Sequence, residues 1–355
     1  MNKLVYSALA ITLCSVPGIA SDNWSSLDQE LNSLSASLQA QTQSGPKIGG
    51  WVISSFRASS DLQSGGNDLQ GFQIDSARVE ITGDAGNTYN YKVSFDFSTG
   101  AAVLKDAYAR WEIANGVNGK MGRYKTAFFQ SGLISENRTL FLERTALGDI
   151  FKSRDLGFEV NGEFDMLKWA VGAQNGSDGQ GDEHKFYGRL RANLMGNGTG
   201  MVEGAHGSGD DSSLSGSIAW QDDGNVDDGT IIGVEVQMTS GPFSIAGEIA
   251  DFDKGTAGAF GITNGILSQW GVVGGDVADT TPWGVTGSYM FTDMYEAAVR
   301  YEDADDSEDT SSIKLGVNRY VQNHDIKWQV EWQTVKTDNA IGDFDVLGVG
   351  LAVSF

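Results

Sequence analysis

The chain of 355 residues holds one cysteine, four prolines and three histidines. Cys14 sits in an N-terminal apolar stretch that reads as a cleaved leader, so the remaining chain is left without a disulfide, a thiolate nucleophile or a Cys-ligated metal. The histidines, His184, His206 and His324, show no H-E-x-x-H spacing, and no G-x-S-x-G is present. Positive charge is also scarce: 24 Lys and Arg face 47 Asp and Glu, a net charge of −23 that excludes nucleic acid as a partner. Beyond the first 20 residues no apolar run reaches the roughly 18 residues of a membrane-spanning helix, a test that leaves β-barrels untouched. What the chain has instead is glycine, 47 residues of it, within a composition that is 40% hydrophobic. That is too apolar for a disordered chain and lacks the Gly-X-Y period of collagen.

The N-terminus reads as a signal peptide over 1–20: Lys3 supplies the positive region, Leu4 to Cys14 the apolar region, and Gly18-Ile19-Ala20 the small residues before cleavage. Residues 21–46 differ from everything after them. Leu27, Leu31, Leu34 and Leu38 form a short heptad seam, Ser26 with Gln29 can make a capping box, and Gly45-Pro46 stops the run. This predicts a short helical, coiled-coil-like periplasmic segment. Two heptads are unstable alone and need an oligomer to hold them.

From Lys47 to Phe355 the period changes to two. Leu347, Val349, Leu351, Val353 and Phe355 alternate with small residues, and Trp328, Val330 and Trp332 alternate with Lys327, Gln329, Glu331 and Gln333. Sixteen such segments can be counted, at 47–57, 71–82, 88–98, 103–113, 118–124, 155–162, 166–175, 184–194, 212–221, 230–239, 243–252, 282–291, 294–302, 311–321, 325–337 and 345–355. Most match the roughly ten residues of a tilted transmembrane strand, and tight turns alternate with long, acidic loops. The fold class is all-β: a 16-stranded antiparallel transmembrane β-barrel in the bacterial outer membrane, in contact with its lipid and lipopolysaccharide. One connection, 195–211, falls on the short-turn side yet is glycine-rich and long. Either it is a long periplasmic turn or the count slips there.

His206 with Ser208 and Asp210 superficially suggests a hydrolytic set, but neighbours in one glycine-rich turn lack the rigid scaffold a triad needs. Acidic clusters at Asp178–Glu183, Asp222–Asp228 and Glu302–Asp309 lack EF-hand spacing and read as solvated loops, so no metal or cofactor is expected. Taking polar parity as inward puts basic and acidic side chains in near balance in the lumen. Lys185, Arg189 and Arg191 on one strand form the clearest basic stripe. Such a row can pass anions from site to site, or it can be paired charge that keeps the pore wet. The connection 125–154 mixes Phe128, Phe129, Phe141, Leu142 and Phe151 with Lys125, Arg138, Arg144, Lys152 and Arg154. A segment so apolar is predicted to fold inward, burying its aromatics on the wall and turning its charges to the channel.

Lys105-Asp106-Ala107-Tyr108, Gly122-Arg123-Tyr124-Lys125, Phe141-Leu142-Glu143-Arg144 and Arg154-Asp155-Leu156-Gly157 together resemble the phosphate-selective porins of the O and P type. The resemblance implies a sixteen-stranded homotrimer, a third loop folded inward, and anion passage past lumen cations, with Lys125 and Arg144 as pore-lining residues and Arg78 as one arginine of a ladder on the second strand. Asp75-Ser76-Ala77-Arg78 departs from the family there, since part of that ladder is missing. The reading is a passive porin for small solutes, anions such as phosphate among them, with Arg78, Arg110, Lys125, Arg144, Lys185, Arg189 and Arg191 in the lumen. A general or cation-preferring porin is the nearest alternative; a barrel hydrolase or an adhesin is the remote one.

Overall fold

The structure, a computed structural model, describes residues 45–60, 69–176, 184–208, 212–222, 229–253, 266, 269–270, 280–338 and 342–355. The signal peptide expected over 1–20 and all but the last two residues of the segment 21–46, expected to be helical, lie outside them, as do two of the three acidic clusters for most of their length.

Alternation dictates the barrel. The strands are β1 (Lys47–Ser59), β2 (Leu69–Ala85), β3 (Tyr89–Asp96), β4 (Val103–Ala114), β5 (Val117–Lys125), β6 (Arg154–Phe164), β7 (Leu167–Gln174), β8 (Lys185–Met195), β9 (Ser213–Asp222), β10 (Thr230–Ser240), β11 (Phe243–Phe252), β12 (Trp283–Thr292), β13 (Tyr295–Asp303), β14 (Ser311–Gln322), β15 (Ile326–Lys336) and β16 (Phe344–Ser354). Their ends fall within about three residues of the alternating segments, the scatter expected of boundaries read from pattern. Each strand pairs antiparallel with its sequence neighbours, and β1 closes on β16, with Trp51 opposite Ser354 and Ser59 opposite Val346. Closure leaves no sheet edge, the requirement for backbone in hydrocarbon. The last residue seals the seam: Phe355 N donates to Gly50 O at 3.0 Å and Gly50 N to Phe355 O at 3.1 Å.

The two faces are inverted relative to a water-soluble protein. Phe186, Leu190, Val234, Trp328 and Val330 point outward and stay exposed, while Glu296, Arg300, Lys314, Asn318 and Lys327 point inward and are buried. So continuous an apolar exterior is the surface a barrel presents to the bilayer. The odd connection resolves in favour of the count: residues 196–212 join β8 to β9 directly, so this is one long turn on the short-turn side.

The third loop, 126–153, lies inside. It carries helix α1 (Gln130–Leu133), a 3-10 turn (Glu136–Arg138) and helix α2 (Ala146–Ile150). Its apolar side packs on the wall where the wall is small. Phe128 stacks on Phe151 with ring centroids 4.0 Å apart, and the pair belongs to a buried cluster with Phe129, Leu147, Ile231, Ala250, Phe252, Val335 and Phe344. Gly233 on β10 makes room: a Cβ there would stand 2.4 Å from Phe128 and 2.6 Å from Phe129. Gly233→Val should therefore lift the loop's aromatic end, at a cost of about 1–3 kcal/mol from overpacking. Limited trypsin digestion of the folded protein will read this as new cleavage at Arg144 or Lys152, sites buried or partly buried in the parent.

Candidate functional site

Inward-facing carboxylates on the β10–β15 wall hold the third loop by its backbone. Glu235 accepts from Gln130 N (2.8 Å), Glu302 from Ala146 N (2.5 Å) and Glu331 from Leu142 N (2.8 Å), while Glu248 accepts from the Ser131 hydroxyl (2.6 Å). In return the wall's Asn318 donates to Leu140 O at 2.9 Å and Lys327 to Thr139 O at 2.5 Å. Glu143 on the loop is clamped between Arg57 of β1 and Lys314 of β14. Arg300 of β13 lies over the Phe141 ring, 4.5 Å from its centroid. The loop thus fills the β9–β16 side of the lumen and leaves the opposite side open.

On that open side three recesses follow one another from the long-loop end inward. The outer one, about 300 Å³, is lined by Arg57, Asp75, Glu136, Glu143, Arg144, Asp149 and Lys152, and its balance is acidic. The central one, about 170 Å³, shares Glu136 and Arg144 with it and is lined by Arg78, Lys92, Lys120, Lys125 and Arg154 against Glu80 and Asp106. The inner one, about 640 Å³, is lined by Arg110, Lys168, Arg189 and Arg191 against Glu163, with the amides of Asn118, Asn161, Asn193 and Asn197. Charge therefore changes from acidic to basic along the path.

The residues predicted from sequence differ sharply in how free they are. Arg78 is buried and shared among Asp96 (3.1 Å), Glu136 (3.4 Å) and Asp106 (4.0 Å), yet its Nε and Nη1 make no hydrogen bond among the described residues. Arg189 pairs with Glu235. Lys125 donates to three loop carbonyls, Gly132, Leu133 and Ile134, and Arg144 donates to Ser131 O at 2.6 Å while its Nε stays unpartnered. Arg191 is held by Thr199, its Nη2 2.5 Å from Oγ1 and 3.3 Å from the carbonyl; Lys185 donates to Thr126 Oγ1 at 3.0 Å. Among the described residues Arg110, Lys125, Arg144, Lys185 and Arg191 make no ion pair, so their charge is not cancelled locally. Arg78, Lys125 and Arg144 meet in the central recess, Arg110, Arg189 and Arg191 in the inner one, and Lys185 sits apart beside Thr126.

Sequence reading missed Lys120 and Arg57 and placed Arg154 only among the charges that the third loop turns to the channel. Lys120 lies 4.1 Å from the Tyr124 ring centroid and 2.6 Å from Glu159, and Arg154 bonds Asp106 at 2.9 Å. The signal for Lys120 was its spacing of four from Tyr124, which places both on one face. It was masked because β5 carries Arg123 on the other face and so shows no clean polar parity. Of the three residues that superficially suggest a hydrolytic set, the Ser208 hydroxyl donates to Ala205 O and the His206 ring stacks on Tyr320 at 3.8 Å, while Asp210 lies outside the described residues.

Two anchors lose their contributions in different ranges of acid pH. Burial alone would raise the Glu143 carboxyl, but Lys314 and Arg57 outweigh it and hold the group down to about 2. Its contribution is therefore present above the ordinary carboxylate range and is lost only as pH falls towards 2. His324, which bonds His206 O through Nε2 at 3.0 Å, is pushed down to about 3 by burial, then by Lys327, with smaller opposition from the His206 carbonyl bond and repulsion from His206 and Arg138. The unfolded imidazole takes up a proton first, so this contribution falls as pH drops from about 6.5 towards 3. Amide exchange, corrected for its intrinsic pH dependence, should thus quicken around residues 205–208 between pH 7 and 4 while the Leu142 amide stays protected.

Residues 47–213 match the family model described as phosphate-selective porin O and P, a segment that runs from the first residue of β1 to the first of β9. No curated protein matches the chain in sequence. Among solved structures, the anion-selective porin from Comamonas acidovorans is similar at 12% identity and a TM-score of 0.60, covering 88% of this chain and 99% of that one. The outer-membrane channel DcaP of Acinetobacter baumannii gives 14% and 0.58 over 87% and 97%, and OprB of Pseudomonas putida 10% and 0.60 over 91% and 97%. Those identities speak to the fold alone, and the family match speaks to the wall that carries the basic recesses. Closed barrel, inverted faces and matched half-wall together make the chain an outer-membrane porin, similar over residues 47–213 to the phosphate-selective porins O and P.

Proposed function

We propose that this porin conducts small anions, phosphate-like solutes included, by passive diffusion with no chemical step. The observation that carries the reading is the division of lumen charge. Carboxylates of the β10–β15 wall are engaged by the third loop's own N–H groups, while the open side presents Arg144, Lys125, Arg110 and Arg191 without ion-pair partners among the described residues. Unpaired cations in a narrow recess act on a passing ion at contact distance, where screening is weak. Arg78 and Arg189 serve as shape and scaffold for that path, and Lys185 contributes to its field. The assembly is a homotrimer in contact with lipopolysaccharide, the leader over 1–20 is removed, and the leucine seam over 21–46 forms a periplasmic stalk that the trimer stabilises.

One observation favours a general or cation-preferring porin instead: the outer recess is acidic. The zero-current potential of the purified protein under a KCl gradient separates the two. A potential of anion sign, with phosphate reducing the chloride current, supports the proposal; a cation sign without block assigns selectivity to the outer carboxylates.

Removing the free cations should shift that potential directly. Lys125→Gln with Arg144→Gln is expected to lower the anion-to-cation permeability ratio by roughly threefold, since both groups face the central recess without carboxylate partners. Arg78→Gln should behave differently. It leaves Asp96 and Glu136 without their shared cation, so its first effect is a loss of about 3–5 kcal/mol in stability, read as a lower unfolding midpoint in detergent.

A further inference from the structure

The long turn between β8 and β9 does not hang below the barrel. Its residues enter the lumen from the short-turn end and meet the third loop inside it. Glu203 N donates to Arg138 O at 3.0 Å, the Glu203 carboxylate accepts from Leu140 N at 2.8 Å, and Gln130 Nε2 donates to Gly200 O at 2.7 Å. The same carboxylate pairs with Arg300, which is fully buried on β13. Ala205 N donates to Glu296 at 2.6 Å, and Glu296 also accepts from Ser288 and Tyr320, each at 2.6 Å. Gly204 permits the approach: it has φ +95°, and a Cβ there would stand 2.6 Å from both Leu140 and Glu296. Between loop and turn the remaining cavity is about 40 Å³, too small for a hydrated ion.

We propose that this turn is a second constriction element of the channel. It closes the acidic side of the lumen from the periplasmic end, so that solute passes only along the basic side. A carboxylate wall left open beside the basic path would offer cations a parallel route, and Glu203, Ala205 and Gly204 remove it by occupying that route. The turn also positions the inner cation, because Thr199 both accepts from Arg191 and donates its hydroxyl to Gln237 at 2.7 Å. Selectivity thus depends on a segment that touches no ion. The inference rests on reading the basic side as the conducting path for anions.

The test uses the full-length protein in planar bilayers. One variant lacks residues 198–208, which leaves a connection of ordinary hairpin length; a second, Glu203→Gln with Ala205→Pro, keeps the length but removes the Arg300 ion pair and the N–H that Glu296 accepts. Removing the turn should raise single-channel conductance about twofold, as the blocked half of the lumen opens, and should shift the zero-current potential towards cations. The double variant should move both readouts the same way by a smaller amount. Unchanged conductance in both variants overturns the proposal, and if the shortened chain does not assemble, the double variant decides alone. The two readings fail separately. A parent channel of cation sign defeats the anion reading, while a conductance increase in the variants would still assign the turn its role.

Discussion

The structure depends on bonds between buried carboxylates and backbone N–H groups. A third loop of this length carries amides that water would satisfy outside and that must be satisfied inside. Glu235, Glu302 and Glu331 of the wall accept from Gln130, Ala146 and Leu142 of the loop, and Glu203 and Glu296 do the same for Leu140 and Ala205. Each such charge-assisted bond is worth on the order of 1.5–3 kcal/mol where both groups are shielded from water. The aromatics of the loop add apolar contact, but they fix only which side lies down. The carboxylates fix where it lies.

From that follows the asymmetry of the lumen. A carboxylate that accepts an N–H keeps its formal charge, yet its lone pairs face the loop and its surface is covered. The acidic side of the barrel is consequently the filled side, and basic groups dominate what remains open. The loop charges fit the same division. Glu143 points to the wall, between Arg57 and Lys314, whereas Arg144 next to it in sequence reaches the central recess. Adjacent residues of an extended segment point to opposite sides, so a Glu-Arg pair is suited to a loop that must bind a wall and line a pore at once.

The barrel was legible in the sequence because its signal is local. Period-two alternation is complete within ten residues, as in Trp328, Val330 and Trp332, and needs no knowledge of partners. The site was legible only in part. Lys125, Arg144, Arg110 and Arg191 could be placed in the lumen by parity and motif, but whether each is free depends on groups far along the chain. Leu142 meets Glu331 across 189 residues and Gln130 meets Glu235 across 105, and no local pattern encodes such pairs. The β8–β9 turn left a single trace, its length. Composition could not say that Gly204 and Ala205 enter the lumen, because a glycine-rich segment reads as an exposed turn until Glu296 and Tyr320 are seen behind it.

Net charge is therefore a poor guide to what this channel passes. The excess of acid, −23 over the whole chain, is concentrated in the long loops, where solvent and salt screen it within about 8 Å at physiological ionic strength. A solute in the central recess stands within contact distance of a few guanidinium and ammonium groups walled by low-dielectric protein, where the same charge acts far more strongly. On the proposed reading the two unpaired cations there, Lys125 and Arg144, outweigh a much larger surface charge of opposite sign. On the same reading the outer carboxylates act on arrival, by setting which ions collect at the mouth, and the inner cations act on passage. The family-matched half of the wall, from β1 to the start of β9, carries most of the cations on that passage, while the half outside the match carries the carboxylates that hold the loop and turn. The open basic charge and the carboxylates that hold the loop are thus separated onto opposite sides of one barrel.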